Sequence, residues 1–208
     1  MTRLEAVNII LSVCGLGRVA ALHTNYRSEA GYAENILDET ELRVQKIGWY
    51  YNTLRDVELA IDGDSKLPVP TGTIWIDSDS GDSYRNITQR GGFLYDLDNN
   101  VDTFAGSLRV KYVQRLDFDC IPHVIADAIA NNAASLFVQR YGRRFIPNSE
   151  LAFVSRSANQ LMRQTWVEAK RWEADTANIN VLELPGVLAV KGDEGSQAVR
   201  VSDIRGTL

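Results

Sequence analysis

The longest amphipathic stripe in the chain runs near its C-terminal end. Leu151, Val154, Ala158, Met162, Trp166, Ala169 and Trp172 recur every three or four residues over about six helical turns. Asn148 or Ser149 stands where an N-cap belongs. Leu161 widens the face, and Thr165 is its one polar interruption. A helix draws most of its stability from packing such a face, so this one needs one or two other helices beside it.

The rest of the chain supplies candidates. Leu4, Val7, Ile10, Leu11 and Cys14 mark a short helix over residues 4–14 that Gly15 and Gly17 stop. Beyond Ser28, a plausible N-cap, Ala33, Ile36, Leu37, Thr40, Val44 and Ile47 form a second stripe, with Glu34, Asp38, Glu41 and Lys46 on other faces. Gly48 ends that helix before the aromatic group Trp49-Tyr50-Tyr51, expected to cover the junction between helical and β parts. After Pro122, Val124, Ile125, Ala128, Ile129, Leu136 and Phe137 share one side of a third helix that Tyr141-Gly142 closes.

Between residues 57 and 121 the period falls to two. The pieces VELAID, TIWID, YRNITQ, GFLYDL and LRVKYVQ are separated by Gly, Pro, Asp and Asn, which predicts an antiparallel meander with Pro68 and Pro70 in its first long loop. Within RGGFLYDLDNNVDTF, Arg90 to Phe104, the glycines set a turn or bulge, FLYDL is a strand and DNN is the turn leading onward. The fold class is therefore α+β: a helical bundle, residues 1–56 and 122–176, interrupted by an antiparallel β-sheet insertion, 57–121, and followed by an extended C-terminal tail, 177–208. The tail is rich in Val and Leu but has little helical order, which fits either a segment that needs a partner surface or a frayed terminus.

Charge follows the same boundaries. Residues 57–121 carry 11 acidic and 6 basic side chains, a difference of five that equals the net charge of −5 on all 208 residues. Such a balance argues against a protein that coats nucleic acid, which needs excess Lys and Arg. An acidic β module fits either a solvated face or a wall that repels phosphate. The longest apolar run, Val7 to Gly17, falls short of the roughly 20 residues that span a bilayer and lacks the basic start of a signal peptide. The expectation is a chain made and used without crossing a membrane.

Residues with chemical potential are few. Cys14 and Cys120 are expected as buried, reduced thiols. His23 and His123 have no second ligand at a metal-site spacing, and no P-loop, HExxH or GxSxG occurs. Gly15-Leu16-Gly17 follows a helix where a dinucleotide fingerprint follows a strand. Asp77 to Ser83, and Asp96, Asp98 and Asn100, offer oxygens for calcium, but without an EF-hand's Glu at position twelve they read as turn chemistry. No catalytic, cofactor-binding or metal residue is assigned. Arg140, Arg143 and Arg144 beside Tyr141 form the one compact basic-aromatic cluster, fit either to complement a helix end or to make an interface.

Four strings occur together and in order: LEAVNIILSVCGLGRVAAL, LRVQKIGWYYNT, RGGFLYDLDNNVDTF and IPHVIADAIANNAASLFVQRY. The set, spanning about Leu4 to Thr176, resembles the tail tubular protein A family, the head-to-tail adaptors of short-tailed, podovirus-type bacteriophages. The resemblance implies a non-enzymatic connector: a homo-oligomeric ring, a dodecamer, between the phage portal protein and the tail nozzle. It further implies that genomic double-stranded DNA passes through the ring's channel, at the head-tail junction of a virion assembled in the host cytoplasm. Interface roles are expected for Arg140, Tyr141, Arg143 and Arg144, and for Leu182, Val187, Leu188 and Val190 in the tail. The rival reading is a tail-associated hydrolase that degrades cell wall, since paired carboxylates are placed by folding and not by spacing.

Overall fold

The computed structural model describes residues 1–22, 28–79 and 85–177. The chain divides into two units, Met1–Glu173 and Ala174–Leu208; of the second, only the end of the last helix is described. The described residues of the first unit form a mixed α+β body with four α-helices and two antiparallel sheets.

Helix α1 (Arg3–Val13) starts at Thr2, whose hydroxyl accepts from Glu5 N–H at 3.2 Å while Glu5 Oε2 accepts from Thr2 N–H at 2.7 Å. This reciprocal capping box satisfies two of the orphan donors of the first turn. Helix α2 (Glu29–Gln45) starts at Ser28, whose hydroxyl accepts from Gly31 N–H. Its expected stripe is buried at Ala33, Ile36, Leu37, Thr40 and Val44, but Ile47 lies beyond the helix and is 49% exposed. Glu41 departs from expectation in the other direction: it is buried, because arginines from two distant segments converge on it.

Helix α3 (His123–Phe145) continues three residues past Gly142. Gly142 does not stop the helix; it makes room, since a Cβ there would sit 2.8 Å from Leu151 Cδ1. Twelve α3 residues are buried, among them Ala126, Ala128, Ala130, Ala133 and Ala134. Small side chains on several faces let neighbours approach closely, so α3 is the centre of the bundle. Helix α4 (Asn148–Thr176), despite the longest stripe, buries fully only Ala158, Thr165 and Ala169. Leu161, expected to widen its core face, is 44% exposed. Thr165 is buried because its hydroxyl donates back to Leu161 O or Met162 O, which hides its polarity inside the helix.

The β part is not the expected meander. β1 (Thr53–Leu59), β2 (Thr73–Ser78) and β5 (Leu108–Gln114) form one sheet in the order β1-β5-β2, so the last strand enters between the first two. β3 (Ile87–Arg90) and β4 (Phe93–Asp96) form a separate hairpin. β5 alternates inward Leu108, Val110 and Tyr112 with less buried Arg109 and Lys111, and as the central strand it donates to both neighbours. Leu67, Ile76, Ile87, Leu94 and Phe104 join it in a second hydrophobic core, distinct from the helical one. Gly91 (φ 57°) and Gly92 (φ 86°) both take the left-handed conformation that a two-residue hairpin turn requires. The turn reading of that stretch is what the structure shows.

Candidate functional site

Arg140 lies on α3 facing α2, where its Nη1 and Nη2 both reach the Glu39 carboxylate, at 2.5 and 2.9 Å. The hydrogen bond from Arg140 holds the Glu39 carboxyl below the usual range. Tyr141 stacks on Tyr32 of α2 with ring centroids 4.9 Å apart, and Arg144 lies over the same Tyr32 ring and over Phe145. Arg143 is exposed. Three of the four residues thus tie α3 to α2, and Arg143 is the member that faces away. Leu182, Val187, Leu188 and Val190 lie outside the described residues, as does His23.

A second polar assembly joins the helices to the β5 exit. Glu41 on α2 receives Arg3 Nη1 from α1 at 3.1 Å and Arg115 Nη2 from beyond β5 at 3.5 Å. Arg3 also pairs with Asp38. Burial pushes the Glu41 carboxyl up, and the two arginines oppose that shift. One turn on, Gln45 donates to Glu41 and is hydrogen-bonded to the backbone of Leu116. Spacing placed Glu41 off the apolar stripe; its burial depends on two arginines 38 and 74 residues away in sequence.

Of the aromatic trio after Gly48, Trp49 is 1% exposed and donates its indole N–H to Val44 O at 2.7 Å. Trp166 of α4 meets it edge-on at 5.6 Å, and Lys170 lies 4.2 Å above the Trp49 ring. Tyr51 packs near Trp172, and burial pushes its hydroxyl pKa up. Tyr50 is 58% exposed, but its N–H donates to Glu173 Oε1 at 2.7 Å. This group fastens α4 to the α2–β1 junction.

The acids of the β part are largely occupied by local structure. Asp96 accepts from Asp98 N–H, Asn99 N–H and Asn99 Nδ2, and those bonds, from Asn99 above all, depress its pKa. Arg109 Nη1 lies 2.8 Å from both oxygens of Asp56, at the bulge that shifts the β1 register. Lys66 pairs with Asp102. Residues 80–84 of the other acid-rich stretch lie outside the described residues. Among the described residues no group of three or more His, Cys, Asp or Glu is placed to hold a metal ion. Cys14 is buried and its thiol is pushed up to about 11, whereas Cys120, expected to be buried, is exposed on the 3₁₀ turn Phe118–Cys120.

These ion pairs and ring stacks lock α2, α3, α4 and the β1 junction to one another. A family model described as tail tubular protein matches residues 4–176, and the chain belongs to that family. It is similar to tail tubular protein A of Klebsiella phage KP34, 31% identical over 132 residues, which cover 63% of this chain and 68% of the relative. The protein is therefore a structural part of a bacteriophage tail, located in the virion tail.

Proposed function

We propose that the chain is the ring-forming adaptor of the tail: copies assemble into a closed homo-oligomer, a dodecamer, between the portal and the nozzle. Its channel passes the genome at the head-tail junction, and assembly takes place in the host cytoplasm. The observation that supports this reading is the family match over residues 4–176, a range that takes in both helical segments and the β part between them. Its mechanism is binding. The helical elements, held rigid by the Arg140–Glu39 pair and the Tyr32–Tyr141 stack, are the wall between copies. Exposed Arg143 belongs to that contact surface. The β part faces the nozzle, and its net acidity keeps DNA phosphate from adhering to the wall.

Residues 177–208, with Leu182, Val187, Leu188 and Val190, dock on the portal or a neighbouring copy. The test is electron microscopy of the purified protein, alone and mixed with its cognate portal protein. The expected result is a closed ring of twelve copies. A chain that stays monomeric with portal and nozzle alike overturns the adaptor reading. Removing residues 177–208 is expected to weaken portal binding with helix content retained, and unchanged binding rules out the docking role.

A further inference from the structure

Helix α4 meets the body along one side, and among the described residues nothing covers the opposite side. On that outward side Phe153 is 68% exposed and Val167 57% exposed, with exposed Gln160 and Gln164 between them on the same face. Arg156 and Arg163, seven positions apart and so about 10 Å apart along the axis, flank this face. They line a shallow groove of about 500 Å³ with Asn159, Gln160 and Gln164. Positions 152 and 160 around Arg156, and 159 and 167 around Arg163, hold Ala, Gln, Asn and Val. The helix therefore provides no i,i+4 acid to neutralise either guanidinium. Neither forms an ion pair among the described residues; Arg156 Nε donates only to Ala152 O.

An exposed aromatic and a β-branched residue among arginines and amides is the composition of a protein contact. Phosphate binding needs the cations alone. The counter-charge is present in the same chain: residues 57–121 hold 11 acidic against 6 basic groups, so an excess of five acids remains even with every basic group of that stretch paired. We propose that the outward face of α4 docks on the acidic β part of an adjacent copy. The contact is head-to-tail, joining two different faces as a closed ring requires. This inference rests on the ring reading and amends one of its faces: the β part, which turns one side to the nozzle, receives the α4 of the neighbouring copy on another.

The experiment uses the full-length chain with Arg156→Glu and Arg163→Glu together, followed by native mass spectrometry and electron microscopy with portal protein present. The double variant, folded by circular dichroism, is expected to form no ring. Mixed at equimolar ratio with wild type, it cuts ring yield at least several-fold, because each variant copy still offers its intact acidic face and ends a growing arc. Rings formed by the variant as by wild type overturn the contact. Rings retained with loss of bound duplex DNA overturn it in favour of nucleic acid. Absence of rings from wild type itself defeats the ring reading and this contact together.

A milder variant, Arg163→Lys, keeps the charge and permits carbodiimide cross-linking in a mixture of isotopically light and heavy chains. Cross-links from the introduced amine to carboxylates of residues 57–121 on another copy are expected. Cross-links to portal carboxylates instead refute the assignment.

Discussion

Gln45 and Leu116 are joined as two strands would be: the Gln45 side chain donates to Leu116 O and accepts from Leu116 N–H, both at 2.8 Å. A fully buried amide on α2 thus takes the place of a missing strand partner where the chain leaves β5. It also places that exit against Glu41 and its two arginines.

Replacing Gln45 with Ala leaves both backbone groups of Leu116 without a partner. An unsatisfied buried group costs about 1–3 kcal/mol, but Leu116 is only half-buried and water can partly replace the lost bonds, so the expected loss is about 1–3 kcal/mol in all. Urea denaturation followed by far-ultraviolet circular dichroism measures it, and a loss well under 1 kcal/mol contradicts the role assigned to this pair.

Gly48 holds φ at 79°, and a Cβ there would lie 3.0 Å from Val113 Cγ2. Gly48→Ala is expected to cost at least about 1–2 kcal/mol, the penalty of the left-handed conformation for an L-residue. The same change at Gly17, where nothing lies within 4 Å of the added atom and φ is not positive, serves as the control and is expected to be near neutral.

Trp49→Ala removes a buried ring, its hydrogen bond to Val44 O and its edge contact with Trp166. A cost of about 3–5 kcal/mol is expected. Hydrogen exchange should show the largest loss of protection in the Trp166 to Trp172 part of α4, since that stretch rests on this ring; protection lost uniformly contradicts the fastening role.

Asp96→Ala is expected to lower the thermal midpoint by several degrees at neutral pH through loss of the turn bonds to Asp98 and Asn99. The folded-state pKa of Asp96 is depressed from its ordinary 3.8. Its ionic contribution is therefore complete above that value and vanishes as pH falls through the lower folded-state value. Thermal scans of both proteins should converge over that acidic window, and a difference that widens there has the wrong sign.

Arg140→Ala and Arg143→Ala separate fold from assembly. The Arg140–Glu39 pair is half exposed, so its loss is expected to cost under about 1 kcal/mol. Arg143→Ala is expected to leave stability unchanged and to reduce ring yield in sedimentation velocity. Normal assembly of Arg143→Ala removes that residue from the contact surface.

Local physics made much of this fold readable from residues alone. The α2 start at Ser28, its stop before Gly48 and the hairpin at Gly91-Gly92 depend on caps and φ preferences confined to a few neighbours. The β pieces were legible for the same reason, since an alternating pattern records burial on one face. Of the candidate site, the Arg140–Arg144 cluster was visible as a string, but its pairing with Glu39 and Tyr32 was not, because those partners lie on another helix. What only the tertiary structure decided is what stands opposite each residue. It put β5 between β1 and β2, because strand order depends on long-range pairing that a periodic pattern does not encode. It buried Glu41, because Arg3 and Arg115 converge on it, and it exposed Leu161. It made alanine-rich α3 the centre and α4 the edge, because small residues on several faces admit neighbours all round, whereas a single long stripe leaves the far side of its helix open.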